Sequence, residues 1–518
     1  MGKLGQLALC LLLHCFVADA ARILAVFPIP SISHQVTFRP ITMELIKRGH
    51  EVVVITPDPM FKKGETPKNL TEIDVHDISY KVWEEFMATG RGKKEDLVTQ
   101  MKVGVEVIIG TVDAQLQVKE VKELIKGKGK FDLLLTEACV RAVIAFSHVY
   151  KVPLIQISSF GAMRINYQVI GAPMHPFLYP GSLNQKIYNL TMYEKLNELY
   201  NNYMMENLFV SMADEENKII RKHFGPDVPD VKDLQNNVEM LFLNINPIWE
   251  GSRPVPPGVI HLGGLPEKPH KELPQDLKSY LDSSKHGVIY ISFGTNVKPS
   301  LLPPEKIQTL VKSFSKMPYD VLWKWDKDEL PGKSANIRIS KWLPQSDLLK
   351  HPKIKLFVTQ GGLQSTDEAI TAGVPLVGIP MLGDQWYNVK KYEHHKIGVK
   401  LELESLSEES FTNAVQKVIG DDSYRKNIAH LRNLMHDQPM KPLDRGVWWI
   451  EHVLRHGGAK HLRAPAANMS WAQFLEFELI AVVLSAFLSV ILVVVGLAYS
   501  LYKFVSSNYI IKAKVKST

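Results

Sequence analysis

Short apolar runs separated by stretches of helical length recur twice along this chain. In the first half, Ile23 to Phe27, Glu51 to Thr56, Leu133 to Thr136 and Val152 to Ile157 read as strands, and Pro40 to Arg48 lies in a helix closed by Gly49. Continuous apolar runs of this length suit parallel strands buried on both faces. In the second half a strand over Gly287 to Phe293 opens another alternation. It ends with a strand over Ile354 to Thr359, a helix over Leu363 to Ala372 and a strand over Leu376 to Ile379. Gly373 suits the left-handed position just past a helix end. This repetition predicts an α/β chain with two parallel-sheet domains facing across a cleft. Their expected limits are 21–245 and 275–462, with the proline-rich stretch 246–274 as a linker between them. A late helix carrying Trp448 and Trp449 closes the second domain and is expected to pack back onto the first.

The two ends have a different pattern. Residues 1–20 combine a basic start at Lys3, an apolar run from Leu7 to Val17 and Ala18-Asp19-Ala20, the form of a secretory signal peptide cut after Ala20. Leu479 to Tyr502 is uncharged and apolar throughout, long enough for a transmembrane helix. Residues 503–518 form a basic tail with Lys503, Lys512, Lys514 and Lys516, too polar for a lipid-anchor signal. Together these predict a single-pass membrane protein with its body in the lumen and its tail in the cytosol. The closing Lys514 to Thr518 resembles a dilysine signal for retrieval to the endoplasmic reticulum. Sequons at Asn69, Asn189 and Asn468 agree with a luminal glycoprotein.

Composition narrows the classes further. A chain of 518 residues with 45% hydrophobic content can bury two large cores. Its formal charge of +7 is spread along the body without a basic run, which argues against nucleic-acid binding. Once the signal is removed Cys139 is the sole cysteine, so neither an intramolecular disulfide nor a cysteine metal cluster can form.

The segment 342–385 carries the most chemistry. A strand that turns sharply into a helix at Gln360-Gly361-Gly362 leaves backbone N–H groups unpaired at the positive end of the helix dipole, a ready anion site. The glycines let phosphate approach the backbone, and Glu368, one turn past Ser365, can accept from ribose hydroxyls. The order Thr359, Gln360, Gly362, Ser365, Glu368, Pro375, Pro380, Asp384 and Gln385, led by Trp342 to Gln345, resembles the signature of the membrane-bound animal UDP-glycosyltransferases, the UDP-glucosyl and UDP-glucuronosyl transferases. The resemblance implies the GT-B fold, two Rossmann-like domains across a cleft. It implies Trp342 stacking on uracil and Gln345 on the uridine edge or ribose. Gln360, Gly362, Gln364 and Ser365 would face the diphosphate, Glu368 the ribose, and Asp384 with Gln385 the sugar hydroxyls. Ser292, Gly294 and Thr295 of the SFGT turn, and Arg253, would add phosphate contacts. Many members have His where Gln360 stands. Gln there is similar to insect members, which mostly use UDP-glucose, and its amide can donate to phosphate but never carries charge.

The catalytic group is expected opposite, where Phe27 to His34 leaves the first strand at the crevice end of its sheet. His34 matches the family's base, which would take a proton from an acceptor hydroxyl. Glu137 stands where the family has an aspartate that orients the base, with Asp132 as the rival. The implied reaction is an inverting, metal-independent transfer of a hexose, glucose by resemblance, from a UDP-sugar to a small lipophilic hydroxyl compound, as in detoxification. No cofactor beyond the donor is expected. Asp326-Lys327-Asp328 has metal-binding spacing but reads as a surface loop, and His394-His395 as surface. Residues between about 60 and 240, including Phe160 to Tyr167 and Tyr200 to Phe209, are expected to line the acceptor pocket. Self-association into a homo-oligomer is compatible with this reading. The alternative is a membrane-tethered carrier that binds lipophilic ligands or UDP-sugars without turnover.

Overall fold

The computed structural model describes residues 20–89, 97–265, 271–295 and 297–515. The expected signal segment, apart from Ala20, and the closing residues 516–518 of the lysine pattern lie outside the described residues. Seven strands, β1 (Arg22–Val26), β2 (Glu51–Thr56), β3 (Leu70–Asp74), β4 (Leu133–Glu137), β5 (Leu154–Ser158), β6 (Val238–Leu243) and β7 (Val259–His261), form one sheet in the order β3-β2-β1-β4-β5-β6-β7. Six more, β8 (Val288–Ser292), β9 (Asp320–Lys324), β10 (Ile337–Ser340), β11 (Ile354–Thr359), β12 (Leu376–Gly378) and β13 (Gly398–Lys400), form a second in the order β10-β9-β8-β11-β12-β13. Every pairing is parallel. The strands are buried almost end to end, as their unbroken apolar runs require.

These are the two Rossmann-like sheets of a GT-B architecture. In each, the strand order reverses once, between β1 and β4 in the first and between β8 and β11 in the second. Ligands of open α/β sheets bind outside the carboxyl ends of strands at such switch points. The carboxyl ends of β1, β4, β8 and β11 lead to His34, Glu137, Ser292 to Thr295, and Gln360 to Ser365. Topology thus delivers most of the sequence-predicted site residues to two crevices.

The helices that matter for the site are α1 (Ile32–Lys47), α2 (Leu97–Gln115), α3 (Met192–Phe224), α4 (Leu363–Ala372), α5 (Gln385–His394) and α6 (Pro442–His456). The α1 helix begins eight residues before the expected Pro40, so His34 lies in its first turn rather than in an approach loop. Pro40 sits inside it, which removes one backbone donor without ending the helix. The proline-rich stretch 246–274 is more than a connector, since β7 within it completes the first sheet.

Val447, Ile450 and Val453 of α6 are fully buried and cluster with Ile23 and Val52 of the first sheet, Phe27 just past β1 and Phe38 of α1. The chain therefore returns to its first half, as expected, and Arg48 pairs with Glu451 at the margin. A further cluster joins Leu241, Leu243 and Trp249 to Tyr290, Phe357 and Tyr392, so the two sheets share apolar contact.

Residues from Ala466 onward form a second compact unit. It contains the helix α7 (Phe477–Val515), of which Phe477–Tyr509 is long and apolar enough to cross a membrane and has no buried window. The span expected at 479–502 falls within it.

Truncation of a fully buried Ile costs about 2–5 kcal/mol. Ile450→Ala should lower the thermal unfolding temperature of the body without altering the far-ultraviolet circular dichroism of the folded protein. An unchanged melting point would show that α6 contributes nothing to the first half.

Candidate functional site

In the first crevice the loop from β1 into α1 is held by amides. Gln35 Nε2 donates to the carbonyls of Phe27 (3.0 Å) and Ile29 (3.1 Å), and Gln115 Nε2 from α2 donates to that of Pro28 (2.7 Å). This fixes the first turn of α1 over the end of β4. There His34 Nδ1 meets Glu137 Oε1 at 2.5 Å, while Glu137 Oε2 accepts from the Ile29 N–H at 3.3 Å. The Glu137 side chain has no exposed surface, whereas that of His34 keeps 18%. A buried carboxylate so placed selects the Nδ1–H tautomer and leaves Nε2 as an acceptor. The extra methylene of Glu137 is accommodated without losing this contact. Asp132, at the other end of β4, accepts from the Arg22 N–H at 2.7 Å and is structural. Phe160 stands edge-on to the His34 ring at 5.9 Å between centroids.

In the second crevice, Gly361 at φ +92° makes the sharp turn from β11 into α4, and a Cβ there would lie 2.3 Å from Val389 Cγ2. Gln345 Nε2 donates to Ser365 Oγ (2.9 Å) and Glu368 Oε2 (2.6 Å), and its Oε1 accepts from the Tyr290 hydroxyl (2.9 Å). Three residues expected at the uridine, ribose and phosphate thus form one network. Trp342 is 67% exposed, as a stacking platform must be, with Lys324 Nζ 5.0 Å from its ring centroid. The same Nζ donates to the Gly294 carbonyl at 2.7 Å and ties Trp342 to the SFGT turn. Within that turn Gly294 N–H donates to Ser292 Oγ at 3.3 Å, and Thr295 is exposed. The side chain of Gln360 is nearly buried, and its Oε1 has no hydrogen-bond partner. Gly362 caps the start of α4.

Asp384 caps α5 and keeps part of its surface open. Burial pushes its carboxyl up to about 6, while the Asn388 amide and His34 act to lower it. Gln385 turns its Oε1 to the N–H groups of Met381 and Leu382, both at 2.8 Å, which orders the turn that carries Asp384.

Two expected phosphate ligands are engaged elsewhere. Gln364 Nε2 crosses to the first half and donates to the Ser33 carbonyl and to Thr37 Oγ1, the latter at 3.1 Å. Arg253 Nη2 donates to the carbonyls of Tyr179 (2.7 Å) and Pro180 (3.1 Å), with its guanidinium 4.0 Å from the Tyr167 ring centroid. Burial lowers its pKa from the ordinary value, and Glu250 acts against that shift. Asp326 and Asp328 do not converge: the first accepts from Ser300 and the second pairs with Lys341. His394 is exposed, as expected. His395 is not plain surface, because it stacks 5.5 Å from Trp249 and burial lowers its imidazole to about 4. Of the runs expected to line the acceptor pocket, Phe160 flanks His34, whereas Tyr167 is core. Met205 and Leu208 pack against Val105 and Ile109, and Tyr200 and Tyr203 lie exposed on α3.

Sequence reasoning missed Asn388. Fully buried, it donates to the Gly361 carbonyl (2.9 Å) and Asp384 Oδ2 (2.8 Å) and accepts from Trp249 Nε1 (3.0 Å). Its position four residues after Asp384 on one helix face was the available signal. Lys324, at the carboxyl end of β9, was the other omission.

Two facing parallel sheets, a nucleotide-type turn at one switch point and a carboxylate-oriented imidazole at the other define a sugar-nucleotide-dependent glycosyltransferase. The family model described as UDP-glucoronosyl and UDP-glucosyl transferase matches residues 22–510, and the chain belongs to that family. It is a UDP-glycosyltransferase of insect type, using a UDP-sugar as donor. It is 35% identical over 483 residues to the ecdysteroid UDP-glucosyltransferase of Spodoptera littoralis nuclear polyhedrosis virus, covering 89% of this chain and 93% of that one. It is 32% identical over 486 residues to UDP-glycosyltransferase UGT5 of Dactylopius coccus, covering 92% and 91%. Among solved structures, a UDP-glucose: anthocyanidin 3-O-glucosyltransferase in complex with UDP superposes with a TM-score of 0.56 at 15% identity, over 84% of this chain and 99% of that one. The glycotransferase of kitacinnamycin gives 0.59 at 17% identity, over 84% and 100%. These likenesses are of fold.

Gly294 has φ +77°, and a Cβ there would sit 2.2 Å from Gln360 Nε2. Gly294→Ala combines left-handed strain of about 1–3 kcal/mol with displacement of that amide. UDP affinity measured by calorimetry should fall about tenfold or more, with the fold retained. Unchanged affinity would separate this turn from the nucleotide.

Proposed function

We propose that the protein transfers glucose from UDP-glucose to a hydroxyl of a small lipophilic acceptor with inversion at the anomeric carbon, His34 serving as general base. The observation that carries this reading is the 2.5 Å contact of His34 Nδ1 with the buried Glu137, at the end of a first turn that Gln364 of the donor half also touches. Glu137 accepts a hydrogen bond from Nδ1–H, which keeps its proton, and stabilises the imidazolium that forms. The acceptor O–H gives its proton to Nε2 as its oxygen bonds to the anomeric carbon. The bond from that carbon to the UDP oxygen breaks, and UDP departs toward the start of α4. There the backbone N–H groups of the glycine turn stabilise the developing anion. Trp342, Gln345 and Glu368 bind the uridine, and Asp384 with Gln385 holds the sugar hydroxyls. Lys324 adds positive charge beside the phosphate turn. The viral relatives' name, ecdysteroid UDP-glucosyltransferase, supports glucose as the sugar and a steroid-like acceptor. The apolar α7 supports a membrane-tethered enzyme, and we assign its body to the lumen of the endoplasmic reticulum on the signal and tail patterns.

General-base catalysis of this kind contributes about 10²–10⁴-fold. His34→Ala should lower transfer by that factor while UDP binding, measured by calorimetry, stays within about twofold. Near-normal turnover in the variant would remove His34 from the reaction. Proton nuclear magnetic resonance of the first product should show a β-glucoside from the α-linked donor, and an α-glucoside would rule out single displacement.

Asp384 must be ionised to accept from sugar hydroxyls. Its folded carboxyl is raised to about 6. The apparent KM for UDP-glucose should therefore rise as pH falls through about 6, while UDP alone binds evenly over that range. The stability sign is opposite. A carboxyl raised on folding costs stability increasingly as pH climbs from the unfolded value toward the folded one, so Asp384→Asn should be more stable than wild type at pH 7.5. A flat KM profile would contradict the assignment.

A further inference from the structure

Cys139 lies just beyond β4, two residues after Glu137. Its thiol is free, and one ligand atom each of His34, Glu137 and Cys139 falls within 4.8 Å of the other two. We propose that these three side chains form a binding site for a borderline-soft divalent cation of the zinc class, and that its occupation switches transfer off. This rests on the reading of His34 as the base.

The donor set is imidazole nitrogen, carboxylate oxygen and thiolate sulfur, three ligands with a fourth position left to water, the pattern of an open zinc site. Zinc bonds of about 2.0–2.3 Å require ligand atoms somewhat closer than 4.8 Å. The three side chains draw closer together as they bind the ion. His34 and Cys139 each keep part of their surface open, while Glu137 is buried. The proton balance is explicit. In the resting enzyme the thiol holds its proton, as a cysteine ordinarily does near neutral pH. Metal entry releases that proton to solvent. A metal on Nδ1 takes the nitrogen that had donated to Glu137, and the one proton of neutral imidazole then resides on Nε2. That nitrogen can no longer accept from the acceptor hydroxyl. The ion thus inhibits by tautomer as well as by charge.

The full-length protein in nanodiscs, first dialysed against chelator, is titrated with cobalt(II) as the spectroscopic stand-in for zinc. A near-ultraviolet thiolate-to-cobalt band together with visible bands of four-coordinate intensity is expected, both abolished by added zinc. Cys139→Ser should lose the thiolate band and bind at least about tenfold more weakly. In the transfer assay zinc should inhibit wild type, chelator should restore it, and Cys139→Ser should be active and resistant to zinc by the same factor. Absence of the cobalt spectrum, or an identical spectrum in Cys139→Ser, would overturn the site. A cobalt spectrum that depends on Cys139 with undiminished transfer would uphold the site and overturn His34 as the base.

Discussion

A carboxylate with no exposed surface, at the last position of a central parallel strand, has to be balanced by the groups around it. Burying an ionised carboxylate without partners is prohibitive. Glu137 is such a group, and its partners are the Ile29 N–H and the His34 imidazole. This one requirement fixes the path of the loop from β1 into α1, the rotamer of His34 and its tautomer. The amides of Gln35 and Gln115 hold the loop where that balance is met. The His34 imidazole is thus oriented by the packing of the first domain, and on the proposed reading such preorganisation spares reorganisation during the reaction.

The donor half is organised by the same economy. Its turn into α4 is shaped by Gly361 against Val389, and Asn388 bridges the Gly361 carbonyl, Asp384 and Trp249. The Asp384 side chain and the glycine-turn backbone are therefore tied together through one amide. Two of the contacts between the halves lie close to the site. Gln364 reaches the first turn of α1, and Trp249, in the segment joining the sheets, anchors Asn388. Displacement of either would change how His34 and the glycine turn are placed relative to each other.

Much of this was legible in the residues. The strand at Ile354–Thr359 and the helix at Leu363–Ala372 fall where the apolar pattern and Gly373 put them, because local preference and burial agree there. The approach of Glu137 to His34 followed from matching positions in a known signature and from nothing in the spacing, since 103 residues separate them. The start of α1 was placed late because Pro40 reads as a helix opening, whereas tertiary packing carries the helix through it. The three-residue strand β7 within a proline-rich stretch has too little pattern to be seen, and only its pairing with β6 reveals it. His395 was misread as surface because its cover, Trp249, is distant in sequence. Arg253 and Gln364 carry the chemistry expected of phosphate ligands, yet their partners here are carbonyls and a hydroxyl that sequence cannot foresee.

The most direct test of how base and donor are joined is a structure of the full-length protein with a non-transferable UDP-glucose analogue and a phenolic or steroid acceptor. The account predicts the acceptor oxygen within hydrogen-bond reach, about 3 Å, of His34 Nε2 and on the face of the anomeric carbon opposite UDP. A sugar seated away from that nitrogen, or an acceptor oxygen directed at another side chain, would contradict it.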